Sequence, residues 1–288
     1  MPFRPIVFPK PRAARASTSQ RVVKINYGAF RRIPAFFNPP VRNLVSLFVL
    51  GAAPLSAQVL YATPGEPYAQ NFSHPDAAGS DLVPWVDNET FRGWFAAYFD
   101  GKSDVFETPT GIMPTAGIGR GGMAFYLYRT DADPLDAALG AQPTDQHCPG
   151  IGTGGIFYGF YIVNATGQTL RTLRISYRVE QYRVAATPER QITLTAGYRV
   201  GGHSLAGGNW TVIPESIYTT PIAGEGEGGT SRTIDGNLAE HVVAMEDLRV
   251  EGLVLAPGQS VWIRWFDVNN RSTDHGVGVD DVQITLEP

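Results

Sequence analysis

The densest group of chemistry-capable side chains lies near the C-terminus: Asp267, Asn269, Asp274, Asp280 and Asp281. They surround a loop between two strand-like runs, 261–267 and 277–286. Calcium takes roughly six to eight oxygens, many from Asp and Asn side chains and loop carbonyls, so this set suits a calcium ion. The spacing is not that of an EF-hand loop, and Asx turns would use the same residues without an ion. Strict alternation places Asp280 on the face of Val282, Ile284 and Leu286, toward a core. A carboxylate there needs a partner. The candidates are a calcium ion, Arg264 in the preceding strand of the same hairpin, or backbone N–H groups.

Glu180, in Val179-Glu180-Gln181-Tyr182-Arg183, stands on the polar side of a strand beside Tyr and Arg. Retaining glycosidases need a second carboxylate about 5–5.5 Å away, and no motif on the same strand supplies one. A contact with Arg178 or Arg183 is the plainer role. No G-x-S-x-G elbow occurs, and the five histidines show no paired spacing for zinc. Cys148, the single cysteine, sits in a Pro/Gly loop and reads as an inert thiol.

Five Trp, 12 Tyr and 15 Phe raise a different chemistry, because sugar rings stack on exposed aromatic planes. Trp210, in Gly207-Gly208-Asn209-Trp210-Thr211, and Tyr218 adjoin loops and are the candidates for exposure. Trp262, Trp265, Phe157 and Phe160 are assigned to the core.

The elements that position these residues are strands. Leu173, Ile175, Tyr177 and Val179 alternate with polar neighbours, as do Ile192, Leu194, Ala196, Tyr198 and Val200. The runs 155–163 and 261–266 are apolar on both faces, as expected in the middle of a packed sheet. Further strands are expected at 122–129, 209–214, 248–255 and 277–286. A short helix is expected near 88–99, with Asn88 or Thr90 as its cap. This pattern predicts an all-β, two-sheet antiparallel β-sandwich of jelly-roll or concanavalin-like type, forming a single domain over 58–288.

Charge divides the chain. Residues 1–57 hold nine Lys and Arg and no acid; the remainder holds 14 bases against 27 acids, a net −13. So acidic a surface repels phosphate backbones and anionic lipids, which argues against nucleic acid as a partner. Arg42, the apolar run 44–55 and the small residues before Gln58 form a signal peptide over 41–57, too short to span a bilayer. Residues 1–40, rich in Pro and Arg, read as a disordered segment or as sequence ahead of the true start. The expected product is secreted or held at the cell surface, with no transmembrane span once the signal is removed.

Several phrases in fixed order carry a resemblance: Trp85-x-Asp87-Asn88-x-Thr90-x-x-Gly93-Trp94, Asp136-x-x-Leu139-Gly140 and Asn164-x-Thr166-Gly167. They continue with Tyr177-x-x-Glu180-Gln181-Tyr182-Arg183, Asp235-Gly236-Asn237, Ile263-Arg264-Trp265-x-Asp267 and Val279-Asp280-Asp281-Val282. Over about 70–288 the chain resembles an uncharacterised exported β-sandwich module of environmental bacteria, often associated with PEP-CTERM-type surface proteins. It departs from that pattern at Tyr182, where Trp is usual. The resemblance implies fold and location and carries no activity. The expectation is therefore a noncatalytic exported sandwich that binds an extracellular carbohydrate or serves as a surface structural module. The alternative is a glycan-active hydrolase or lyase using Glu180.

Overall fold

The run that is apolar on both faces, Gly155–Asn164, becomes a central strand because each of its faces has a protein layer to pack on. The computed structural model describes residues 59–288 apart from 103–105, 118–123, 187–191, 225–228 and 271–273. The basic segment 1–40 and the signal peptide expected at 41–57 lie outside the described residues.

Numbered along the chain, the first sheet runs β12 (Thr211–Val212), β11 (Ile192–Val200), β16 (Ser260–Val268), β9 (Gly155–Asn164), β4 (Trp94–Phe99) and β5 (Phe106–Glu107). In it β1 (Val59–Tyr61) also pairs with β9, and β13 (Tyr218–Thr219) with β11. The second sheet runs β14 (Arg232–Thr233), β10 (Thr172–Val184), β17 (Gly276–Glu287), β8 (Ala137–Ala141), β7 (Phe125–Arg129), β6 (Gly111–Thr115) and β3 (Val83–Pro84). There β15 (Val242–Val250) flanks β10 and β2 (Tyr68–Gln70) flanks β17. Pairing is parallel for β1–β9 and β6–β7 and antiparallel for the long ladders β10–β17, β9–β16 and β11–β16. The all-β, two-sheet antiparallel sandwich expected from the alternation is the observed fold.

Between the sheets lies one continuous core. Trp94, Phe160 and Ile263 meet in register across the first sheet, as do Ala96, Tyr158 and Trp265. Trp94 stacks on Trp265 at 5.6 Å, and Leu173, Ile175, Val279, Val282 and Ile284 close the core from the second sheet. A fully buried Trp or Phe contributes roughly 2–3 kcal/mol by leaving water.

Two expectations are corrected. Residues 87–93 form turns, not the start of a helix over 88–99, and 94–99 is strand β4. Asn88 and Gly93 both take positive φ (67° and 83°), which breaks helical continuity. The predicted caps instead hold this turn: Asn88 Oδ1 accepts from Gly93 N at 2.9 Å, and Thr90 Oγ1 from Val86 N at 2.9 Å. The second correction concerns 261–286. Strands β16 and β17 belong to different sheets, so this segment crosses the sandwich and is not a hairpin.

Candidate functional site: an aromatic cleft and a carboxylate network

The outer face of the first sheet is aromatic. Because β4, β9 and β16 are apolar on both faces, Phe95, Phe99, Phe157, Tyr161, Trp262 and Phe266 project away from the core into a second cluster. Arg264 crosses this face with a glycine on either side in register, Gly159 of β9 and Gly197 of β11. The absence of side chains there lets its guanidinium lie between Phe157 and Trp210, 3.9 Å from each ring centroid. Nη1 of Arg264 donates to Leu205 O at 2.9 Å and Ala206 O at 3.0 Å. Arg199 donates to Gly207 O and Ser204 O. These contacts seat the segment 201–210 against the sheet.

Between that segment and β4–β5 opens a cleft of about 450 Å³, within the usual range for small-ligand sites. Its apolar lining includes Phe95, Ala97, Phe106 and Trp262, and its polar lining Asp87, Thr108, His203 and Ser204. Asp87 is set by its turn: Oδ1 accepts from Trp85 Nε1 at 2.7 Å and from Ala96 N at 3.0 Å. Burial raises its carboxyl pKa above the usual range, and these two donors oppose the rise.

The outer face of the second sheet carries carboxylates. Glu180 is 3% exposed and lies on the same face as Arg178, whose Nε is 3.6 Å from Glu180 Oε1. Tyr182 Oη lies 2.6 Å from Glu180 Oε2 and 2.9 Å from Asn237 Oδ1. Asn237 Nδ2 donates to Asp136 Oδ2 at 2.7 Å. Burial pushes the Glu180 carboxyl up to about 7, with Asp136 and Asp281 adding repulsion. Burial likewise pushes Asp280 up to about 8, reinforced by Glu180 and Asp281. Tyr128 stacks beneath Tyr182 at 5.1 Å, and Gly236 fits against the Tyr182 ring where a Cβ would not.

Asp280 is buried, as expected, but on the outer face of its sheet. Asp281 takes φ 49° in a β-bulge, where β17 has one residue more than β10 between the pairs Ser176–Gln283 and Arg178–Asp280. The bulge resets the alternation: Val279 and Val282 both face the core, and Asp280 stands opposite Arg178. Phe72 N donates to Asp280 Oδ1 at 3.4 Å. The expected Asp280–Arg264 pair is absent, since Arg264 lies on the other sheet.

The five residues expected to share a calcium ion fall into two places. Asp280 and Asp281 join the Glu180 network, whereas Asp267, Asn269 and Asp274 cluster at the end of β16. Asp267 is 1% exposed, faces the core, and has no hydrogen-bond partner for Oδ2 among the described residues. Burial holds its pKa well above the usual carboxylate range, with Asp274 adding to the rise. Asp274, pushed up to about 7 by burial, accepts from Asn270 N at 2.9 Å. Asn269 Nδ2 donates to Asp145 Oδ1 at 2.9 Å and to Cys148 O. Among the described residues no three His, Cys, Asp or Glu side chains are arranged to hold a metal ion.

The aromatic candidates are also redistributed. Trp210 is half-buried beneath Arg264, and its Nε1 donates to Gly207 O at 3.0 Å. Tyr218 is not exposed: at 1% it belongs to the core, drawn in by its pairing with Leu194. Trp262 and Phe157, assigned to the core from sequence, lie on the outer face. They stand three residues from core-facing Trp265 and Phe160, and three residues along a strand reverse the face. That spacing is the signal by which the cleft's aromatic floor was detectable. Phe95 and Asp87 escape the sequence reading because their stretch reads as a helix, and Phe106 because the two-residue strand β5 is too short to show alternation.

No protein-family model and no curated protein sequence matches the chain. Among solved structures it is similar to the xylan-binding domain CBM22-1 of Xyn10C from Paenibacillus barcinonensis, at 12% identity and a TM-score of 0.35, covering 78% of this chain and 97% of that one. It is similar to TmCBM61 in complex with β-1,4-galactotriose at 9% identity and a TM-score of 0.28, covering 76% and 99%. It is also similar to the Stig cyclase Fisc from Fischerella sp. TAU at 11% identity and a TM-score of 0.37, covering 77% and 99%.

Proposed function

We propose that the protein is an exported carbohydrate-binding β-sandwich whose site is the aromatic cleft on the first sheet. One observation carries the reading: Phe95, Phe106 and Trp262 line the same 450 Å³ cleft as the oriented carboxylate of Asp87. Aromatic planes match the apolar faces of sugar rings, and a fixed carboxylate accepts from their hydroxyls. The basic flank and apolar run of 41–57 support export, and N-terminal sequencing of secreted protein should read from Gln58. Binding is tested by affinity electrophoresis against a panel of soluble neutral and acidic polysaccharides. Retardation by at least one, weakened tenfold or more by Phe106→Ala with the melting temperature largely kept, is the expected result. Migration unchanged by every polysaccharide would refute the reading.

A second reading, a glycan-active enzyme, gains support from one feature that was not evident from the sequence. Folding brings Asp136 and Asp280 beside Glu180, supplying the second carboxylate that its own strand lacks. Release of reducing ends from the same panel, abolished in Glu180→Gln, would establish it; no release from any polymer would dismiss it.

A further inference from the structure

The charges around the cleft specify a class of glycan, an inference that rests on the cleft being the glycan site. We propose that the cleft accepts uncharged sugar chains and that Asp87 excludes those carrying uronic acids. Asp87 is the one carboxylate lining the cleft among the described residues, and both its hydrogen bonds from protein fall on Oδ1. Oδ2 accepts no hydrogen bond among the described residues, which leaves it available to accept from a ligand. A sugar hydroxyl donates to such an oxygen. A uronate carboxylate offers only lone pairs and a like charge, in a partly desolvated site where repulsion is weakly screened.

Among the described residues, the arginines that would reverse this selectivity lie elsewhere. Arg264 and Arg199 are nearby, but both sit behind the cleft wall and neither lines the cleft. Arg264 is enclosed between Phe157 and Trp210, with Nη1 on two backbone carbonyls. Arg199 is directed at the carbonyls of Gly207 and Ser204. His203 is the remaining lining group able to take a positive charge, and it belongs to the 201–210 wall. The wider field has the same sign as Asp87, since the chain beyond residue 57 carries 27 acids against 14 bases.

Matched pairs that differ only at C6 provide the test. They are β-1,4-mannohexaose against β-1,4-mannuronate hexamer, cellohexaose against β-1,4-glucuronate hexamer, and methyl-esterified against de-esterified homogalacturonan. Each is titrated into the full protein by calorimetry at pH 7 and physiological salt. The expected result is that at least one neutral member binds and its uronate counterpart binds tenfold or more weakly. Asp87→Asn, which keeps an oxygen for Trp85 and Ala96, should narrow that gap to threefold or less. Phe106→Ala should weaken the neutral ligand and leave the ratio unchanged wherever binding is measurable. Equal binding of a pair by the wild type, or a gap that survives Asp87→Asn, overturns the charge assignment while the glycan reading stands. Silence from all six ligands overturns both.

Discussion

Glu180 stands in a row that crosses the second sheet through Gly278 and Gly140 before it meets Tyr126. Gly140 lets the β8 backbone approach that of Val277 and Gly278 closely, and Gly278 leaves room for the Tyr128 ring. A Cβ built on Gly278 would come within 2.7 Å of Ala138 Cβ and 3.3 Å of the Tyr128 ring. Gly278→Ala should therefore cost about 1–3 kcal/mol by overpacking, read as a lowered urea midpoint with an unchanged slope. Glu180 itself is predicted to be a source of instability at alkaline pH. Once ionised it faces Asp280, Asp136 and Asp281, with the Tyr182 hydroxyl and Arg178 opposing them only in part. Glu180→Gln keeps an acceptor for Tyr182 and removes the charge. It should raise the melting temperature by about 2–4 °C at pH 8 and change it little at pH 5. Equal effects at the two pH values would show that the Glu180 carboxyl does not titrate between them.

The segment 201–210 owes its position to side chains of other elements. Arg199 of β11 and Arg264 of β16 donate to four of its carbonyls, and Trp262 Nε1 donates to Gly202 O at 3.2 Å. Burial, and repulsion from Arg199, lower the Arg264 pKa to about 9, so it stays charged at neutral pH. Its sandwich between two aromatic rings is of the strength expected for a desolvated cation–π pair, about 2 kcal/mol. Arg264→Ala should destabilise the domain by roughly 2–4 kcal/mol and leave two carbonyls without their donor. Amide hydrogen exchange should accelerate selectively across 201–210, with protection of β9 and β16 largely retained. Uniform acceleration through the sheets would instead make Arg264 part of the core's support. Because this segment forms one wall of the cleft, loosening it should also weaken glycan binding.

For the whole molecule, buried acids dominate the pH response. Glu180 and Asp274 are pushed up to about 7, Asp280 to about 8, and Asp267 well above the usual range, in each case chiefly by burial. The folded state thus retains protons that the unfolded chain releases near pH 4. The resulting stability is full below the ordinary carboxylate pKa and is lost as pH rises through 7 and 8. The melting temperature should be higher at pH 5 than at pH 8, by on the order of 5–10 °C. A scan by circular dichroism across pH 4.5–8.5 measures it, and a midpoint that rises toward pH 8 would contradict the burial of these groups.

The class of fold was legible in the sequence because alternation is a local property: each residue on a strand reports its face through its nearest neighbours. Leu173 to Val179 and the doubly apolar 155–163 named strands and sheet centres with no knowledge of their partners. The negative charge beyond residue 57 was equally a matter of counting. Local pattern failed wherever geometry depended on something distant. One residue of bulge at Asp281, recognisable only against β10, moved Asp280 to the outer face. The crossing of β16 and β17 into opposite sheets separated Asp280 from Arg264 and divided the proposed calcium ligands. Asp87, Phe95, Phe106, His203 and Trp262 share a cleft although they span 176 positions, because the β4–β9–β16 ladder and the arginine-held 201–210 segment converge there. Periodicity reports the face of a strand, whereas a binding site arises from which strands become neighbours and which segment packs over them.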